Sequence, residues 1–370
     1  MKVMITGGGT GGHTSPALAI VEELRKRDPQ LLLQWVGREG GLEQRIAAAN
    51  EIPFRTVPVE GWPRKAIVRR AWVAVKLAAG LARATTLLRK FDPHVVIGVG
   101  GYVSLPLLWA AQRFGAPTVL HEQNKRIGMA NHMLAGKARR IYLSFPDTLG
   151  DYPRENARVV GNPVRAGFVQ PPGAAEAKRR LELDPGRPVV LVTGGSQGAG
   201  AINRAMTGAL PAFAPEDAQF LWMTGAEDAS AARELAAELK ATVRVFHFIE
   251  DMVTASAAAD LIVGRAGAST TAEIAVLGKP SILIPYPHAT DNHQEENARA
   301  FAETGAALML LNDDCTGPRL AEEIRRLLAS PEDRERMGRA ARSLGHPDAA
   351  EALVDDLFDL LFSAGKPAGS

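Results

Sequence analysis

His13 follows Gly7-Gly8-Gly9-Thr10-Gly11-Gly12 and opens a stretch whose apolar residues Ala17, Leu18, Ile20, Val21 and Leu24 recur at helical spacing. A histidine there can move a proton beside a bound anion. The loop's backbone N–H groups and the positive end of the helix dipole attract phosphate. The same dipole disfavours imidazolium, leaving a neutral ring that can accept a hydroxyl proton. A second glycine turn, Gly100-Gly101-Tyr102-Val103-Ser104, follows the apolar run Val95 to Val99, and Glu122 and Asn124 follow the run Thr118 to His121. Glu122 is the alternative base. The opening pattern then returns: Val189 to Thr193 runs into Gly194-Gly195-Ser196-Gln197-Gly198-Ala199, with Ile202, Ala205, Met206, Ala209 and Leu210 at helical spacing behind it. Duplicated phosphate-type loops point to a substrate pair that carries phosphate on both partners.

Several classes of chemistry are disfavoured by what accompanies these loops. Gly7, Gly9 and Gly12 satisfy G-x-G-x-x-G, but the second apolar run, Leu31 to Val36, ends in Gly37-Arg38 with Glu39 beyond, rather than in the acid that holds a dinucleotide ribose. No P-loop sequence and no Asp-x-Asp occurs, so no metal site is indicated, and no cofactor is implied. The chain has 370 residues, two domains' worth, and Cys315 is its one cysteine, which is the usage of a reducing compartment. The opening Met-Lys-Val-Met-Ile-Thr leads directly into glycines and has no apolar signal-peptide core.

The loops need strands to hold them. Leu31 to Val36, Val95 to Val99, Thr118 to His121, Ile141 to Ser144, Gln219 to Met223, Val243 to Phe246, Leu261 to Val263 and Ser281 to Ile284 read as buried parallel strands alternating with helices. Two glycine-loop openings predict two Rossmann-like α/β domains whose parallel sheets face a central cleft. The expected division is residues 1–163, residues 164–345, a C-terminal helix at 346–364 that packs back on the first domain, and a disordered tail at 365–370. Charge divides the same way: residues 1–165 hold 24 Lys and Arg against 12 Asp and Glu, the remainder 19 against 29. The basic half suits phosphate or an anionic membrane. Within it, 61–90 contains no acidic residue, and Arg69, Lys76 and Arg83 form a stripe flanked by Val68, Trp72 and Val75, the pattern of a helix lying on anionic headgroups. No nucleic-acid motif is present.

In order and spacing, Gly8 to His13, Gly100 to Ser104, His121-Glu122-Gln123-Asn124, Gly161-Asn162-Pro163-Val164-Arg165, Gly194 to Ala199 and Arg265-Ala-Gly-Ala-Ser-Thr-Thr-Ala-Glu273 resemble the MurG family of glycosyltransferases. The resemblance implies a GT-B fold and inverting, metal-independent transfer of N-acetylglucosamine from UDP-GlcNAc to the C4 hydroxyl of lipid I, giving lipid II. It implies a protein on the cytoplasmic face of the inner membrane. It also implies His13 or Glu122 as catalytic residue and an acceptor site at Gly101, Tyr102, Glu122 and Asn124. The implied donor contacts are Thr10, Gly11, Gly12, Asn124, Arg165, Ser196, Gln197 and Gly198, then Ile249 for uracil. Ala268, Ser269, Thr270 and Thr271 would face the diphosphate, Glu273 the ribose and Gln294 the sugar. The segment from Tyr286 to Gln294 reads as irregular. Two alternatives stay open at this point: an enzyme like UDP-GlcNAc 2-epimerase, and a non-catalytic, membrane-docked nucleotide-sugar sensor.

Overall fold

The computed structural model describes all residues except 10, 62–66, 196–197, 240, 290–291 and 363–370, and the side chains of 67–71 are not described. Thr10, Ser196, Gln197 and the expected tail therefore lie outside the described residues, as do the side chains of Val68 and Arg69. The chain forms two compact units, Met1–Arg165 with the chain from His346 onward, and Ala166–Gly345.

The first unit runs β1 (Lys2–Thr6), α1 (Gly11–Arg27), β2 (Leu32–Gly37), α2 (Leu42–Ala49), β3 (Phe54–Thr56), α3 (Ile67–Phe91), β4 (Val95–Gly98), α4 (Leu105–Arg113), β5 (Thr118–Glu122), α5 (Met129–Ala135), β6 (Arg140–Leu143) and β7 (Ala157–Val159). The second runs α6 (Ala166–Val169), α7 (Ala174–Arg180), β8 (Val189–Thr193), α8 (Gly200–Ala209), β9 (Gln219–Met223), α9 (Ala229–Glu238), β10 (Thr242–Phe246), α10 (Met252–Ala258), β11 (Leu261–Gly264), α11 (Ala268–Leu277), β12 (Ser281–Leu283), α12 (His293–Glu303), β13 (Ala307–Met309), α13 (Gly317–Ala329) and α14 (Pro331–Ser343). The chain then returns to the first unit as α15 (Ala349–Phe362).

Both sheets are parallel. Their orders are β3-β2-β1-β4-β5-β6-β7 and β10-β9-β8-β11-β12-β13, so the order reverses between β1 and β4 and again between β8 and β11. Ligands of such sheets bind outside the carboxyl ends of the strands at that reversal. Continuous apolar runs such as Val3-Met4-Ile5 and Val189 to Val192 form these strands because helices cover both faces. The expected strands appear with ends shifted by a residue or so, whereas β3, β7 and β13 were not foreseen. Each is a three-residue edge strand that is only partly buried, too short to carry an apolar run.

Leu353, Val354 and Leu357 of α15 enter the core beside Ile20, Val21 and Leu24 of α1. Each of these wholly buried side chains contributes roughly 1.5–3 kcal/mol before chain entropy is charged against it. Asp356 fixes the helix to the sheet by accepting from Arg140 Nε at 2.7 Å and from the Tyr142 hydroxyl at 3.0 Å. That ties the chain's end to β6.

His121, at the end of β5, is wholly buried. Burial lowers its pKa from 6.5 to about 4, against the nearby Gly161 carbonyl and helped by repulsion from His13 whenever that ring is protonated. Unfolded His121 binds a proton below about pH 6.5, whereas folded His121 does so only near pH 4. Its contribution is therefore complete above 6.5 and is lost as the pH falls toward 4. Denaturant unfolding of the protein and of His121→Gln at pH 7 and pH 4.5 should show the native sequence losing about 2–3 kcal/mol more. Equal losses would contradict a neutral buried ring. Glu122, whose carboxyl is raised by burial, titrates with the opposite sign and cancels in this comparison.

Candidate functional site

In the first unit, the loops after β1 and β4 meet as nearly bare backbone. A Cβ at Gly101 (φ +80°) would stand 2.7 Å from the Gly8 carbonyl oxygen, and one at Gly100 (φ +91°) 2.9 Å from His13 Cδ2 and 3.3 Å from its Nε2. The His13 ring therefore rests on the Gly100–Gly101 backbone, and only glycine allows that approach. His13 is the third residue of α1, after Gly11 and Gly12, and the first turn of α1 carries no acid. A helix start of this kind leaves N–H groups without helical partners and favours anions. The Tyr102 ring stands over the loop, where Cβ atoms at Gly9 and Gly61 would come within 3.6 and 3.5 Å of it. Ser104 donates its hydroxyl to the Gly101 carbonyl at 2.7 Å and holds the turn closed.

Glu122 is brought close to Asn124 as expected, but its environment is not that of an open base. It is buried. Oε1 accepts from Asn124 N (3.0 Å) and Nδ2 (3.2 Å), and Oε2 from Gly128 N (2.8 Å) and Asn131 Nδ2 (2.9 Å). Burial pushes its carboxyl upward, while four partners that all donate favour the charged form. With those lone-pair positions filled, Glu122 orders the segment from Asn124 to Asn131. Asn131, which also donates to the His121 carbonyl at 3.0 Å, gave no sequence signal because it is an ordinary residue within α5. Arg165 is half-buried at the end of the first unit's continuous stretch.

The second unit repeats the design with different fittings. Gly198 has φ +75°, and a Cβ there would meet the Thr224 carbonyl oxygen at 2.4 Å. Its N–H closes the turn onto the Gly195 carbonyl at 2.9 Å. Ala268, Ser269, Thr270 and Thr271 are the first four residues of α11, behind N-cap Gly267 and again without an acid in the first turn. Thr271 spends its hydroxyl on the Gly267 and Ala268 carbonyls, so it shapes the turn from within. Glu273 lies half-buried one turn further on. Ile249 is buried and its N–H points to Met223 Sδ at 3.3 Å, which leaves the carbonyl as the group it can offer a base.

Gln294 does not lie in irregular chain: it is the second residue of α12, and its Oε1 accepts the Tyr286 N–H at 3.0 Å. Arg265 braces the same loop. Its Nη1 donates to the Ile284 and Pro285 carbonyls and to Asn312 Oδ1 at 3.1, 2.9 and 3.0 Å, and its guanidinium lies 5.4 Å from the Tyr286 ring centroid.

The surface of α3 presents Trp72 and Val75, 57% and 60% exposed, with Arg83 exposed further along. Lys76 is less available than its spacing suggests, because its ammonium pairs with Glu60 Oε2 at 2.7 Å, just before the acid-free segment, and lies 5.5 Å from the Trp72 ring centroid. The sequence reading also missed a second exposed apolar group. Trp109, Met133, Arg113 and Lys137 line a depression of about 380 Å³ on α4 and α5, and Arg89 of α3 sits 5.0 Å from the exposed Phe114 ring. Among the described residues, no helix is long and apolar enough to cross a membrane, and no three His, Cys, Asp or Glu side chains gather where they could hold a metal ion.

Comparison with known proteins agrees over nearly the whole length. Residues 3–143 match the glycosyltransferase family 28 N-terminal domain and 189–353 its C-terminal domain. The UDP-N-acetylglucosamine--N-acetylmuramyl-(pentapeptide) pyrophosphoryl-undecaprenol N-acetylglucosamine transferase of Exiguobacterium sp. is 42% identical over 96% of this chain and 98% of its own, and the Bacillus cytotoxicus protein of the same name 37% over 98% and 100%. The crystal structure of Acinetobacter baumannii MurG superposes with a TM-score of 0.74 at 29% identity, covering 96% of this chain and 98% of that one. UDP-GlcNAc 2-epimerase from Neisseria meningitidis, at TM-score 0.66 and 15% identity over 97% and 100%, shares the fold alone. Two parallel α/β units with glycine loops at both strand-order reversals, and relatives that match from end to end, place the chain in the MurG family of GT-B glycosyltransferases.

Proposed function

We propose that this protein transfers N-acetylglucosamine from UDP-GlcNAc to the C4 hydroxyl of the MurNAc sugar of lipid I, with inversion and without a metal, forming lipid II. The observation that carries the reading is His13 seated on the Gly100–Gly101 backbone at the strand-order reversal of the first unit. That unit takes the lipid-linked acceptor at its two glycine loops, Tyr102 and the segment ordered by Glu122. The resemblance to the family also assigns Gly11, Gly12, Asn124 and Arg165 to the donor. The second unit holds UDP-GlcNAc through Gly198, the start of α11, the Ile249 carbonyl, Glu273 and Gln294; Thr10, Ser196 and Gln197 are donor contacts by the same resemblance. The acceptor oxygen attacks the anomeric carbon as the bond from that carbon to the diphosphate breaks. His13 takes the hydroxyl proton, and helix-start N–H groups receive the charge of the departing UDP. Glu122 acts by ordering the loop.

Turnover of labelled UDP-GlcNAc with and without a lipid I analogue tests this directly. Transfer should require the analogue, and consumption of the nucleotide sugar without it would favour epimerase-like chemistry. His13→Ala should lower kcat by about a hundredfold or more with UDP affinity unchanged, since general-base catalysis contributes 10²–10⁴. Glu273→Ala should weaken UDP binding by roughly 1.5–3 kcal/mol. A His13→Ala enzyme with native kcat, or unchanged UDP affinity in Glu273→Ala, would remove the corresponding assignment.

The same reading places the first unit on the cytoplasmic face of an anionic membrane, through Trp72, Val75 and Arg83, with Val68, Arg69 and Lys76 on the same helix. Trp109, Met133, Arg113 and Lys137 extend the surface to α4 and α5. Basic side chains near an anionic surface add about 1 kcal/mol each, and inserted aromatic groups are screened less by salt. Trp72→Ser/Trp109→Ser and Arg83→Ser/Arg113→Ser/Lys137→Ser should each sediment less with phosphatidylglycerol vesicles, the second chiefly at low salt. Native sedimentation of both would show these faces to be ordinary solvated surface.

A further inference from the structure

Glu43 belongs to none of the residue sets above, yet it is wholly buried beneath the first glycine loop. It is the second residue of α2, behind N-cap Gly41. Its Oε2 accepts the Gly9 N–H at 3.1 Å and its Oε1 the Arg38 N–H at 2.9 Å. Three glycines wall the carboxylate in: a Cβ at Gly8 would stand 2.5 Å from Oε2, one at Gly41 2.5 Å from Oε1, and one at Gly37 2.6 Å from Cγ. Gly8 needs no left-handed backbone, so the carboxylate alone excludes a side chain there. An acid that serves a dinucleotide turns its oxygens outward to a ribose. This one reaches back from α2 and spends both oxygens on backbone donors.

The loop it holds is the one that carries the site. Gly9 lies four residues before His13, and the Gly8 carbonyl abuts Gly101. A charged acceptor makes stronger hydrogen bonds to N–H groups than a neutral one, and in a buried site nothing else replaces them. We propose that Glu43 is the positioning residue of the acceptor-side glycine loop: it draws the Gly9 N–H inward, and so sets which backbone donors face the acceptor and where the His13 ring stands. This rests on the assignment of that loop to the lipid-linked acceptor. A glutamine in place of Glu43 would keep the shape but set an amide NH₂ against one of two backbone N–H donors, so the loop would have to move.

The test compares Glu43→Gln and Gly8→Ala with the native full chain. Expected for Glu43→Gln is a ten- to hundredfold fall in kcat/KM for a lipid I analogue, with a much smaller fall in UDP affinity. Hydrogen exchange should quicken in the peptide containing Gly9 and not in peptides of the second unit. Gly8→Ala, which pushes the carboxylate away from the other side, should give the same pattern, and Glu43→Ala/Gly8→Ala should be no worse than Gly8→Ala alone. Native kcat/KM and native exchange in Glu43→Gln would overturn the proposal. So would losses of UDP binding and thermal stability that match the loss of transfer, since these mark a residue needed only for folding. Absence of lipid I transfer in the native chain would instead refute the functional reading, and the exchange measurement would still decide the role of Glu43.

Discussion

Two neighbouring parallel strands must end in loops that touch through bare backbone, and the rest of the site is arranged around that contact. At the reversal between β1 and β4 there is no room for a Cβ on Gly100 or Gly101, because the His13 ring and the Gly8 carbonyl already occupy the space. Close approach of this kind removes side chains from the strand ends and leaves N–H groups and helix starts as the recognition surface. At the reversal between β8 and β11 a Cβ on Gly264 would stand 3.0 Å from the Thr193 carbonyl oxygen, while Gly198 lies against the Thr224 carbonyl after β9 and α11 opens on Gly267-Ala268-Ser269. On the proposed reading, phosphate recognition is thus a property of the fold.

Side chains then divide into those that act and those that hold the backbone in place. On the proposed reading His13, Tyr102, Glu273 and Gln294 meet the substrates, Gln294 while its Oε1 also accepts the Tyr286 N–H. Glu43, Glu122, Arg265 and Thr271 are engaged with protein backbone: Glu43 secures the loop before His13, Glu122 the segment from Asn124 to Asn131, Arg265 the chain at Ile284 and Pro285, and Thr271 the start of α11 that leads to Glu273. Buried carboxylates such as Glu43 and Glu122 are tolerable because each accepts several donors, whereas an unpaired charge at either place would destabilise the fold. The absence of acids from the first turns of α1 and α11 serves the same end, since a carboxylate there would compete with an anionic substrate.

The sequence made the strands between the glycine loops visible because buried parallel strands are continuous apolar runs, and the helix starts visible because glycine and small hydroxyl residues cluster there. It did not reveal β3, β7 and β13, which are held by pairing to a neighbour rather than by burial of an apolar run. Nor did it reveal the pairing of Lys76 with Glu60, since a helical stripe reports spacing and not the chain that lies alongside. Nor did it single out Trp109 and Phe114, whose exposure only the packing of α4 on its neighbours shows. Glu43 was hidden for a similar reason: an acid in the first turn of a short helix is common, and its contact with Gly9 spans 34 residues.

The account stands or falls on backbone recognition of phosphate. The most direct measurement replaces the peptide N–H of Thr270, within the first turn of α11, by an ester oxygen through its α-hydroxy analogue, and titrates the product with UDP and with uridine. The account predicts that UDP affinity falls roughly tenfold or more, as loss of one hydrogen bond to a charged group requires, while uridine affinity stays the same. Unchanged UDP affinity would contradict it and would assign the diphosphate to side chains instead.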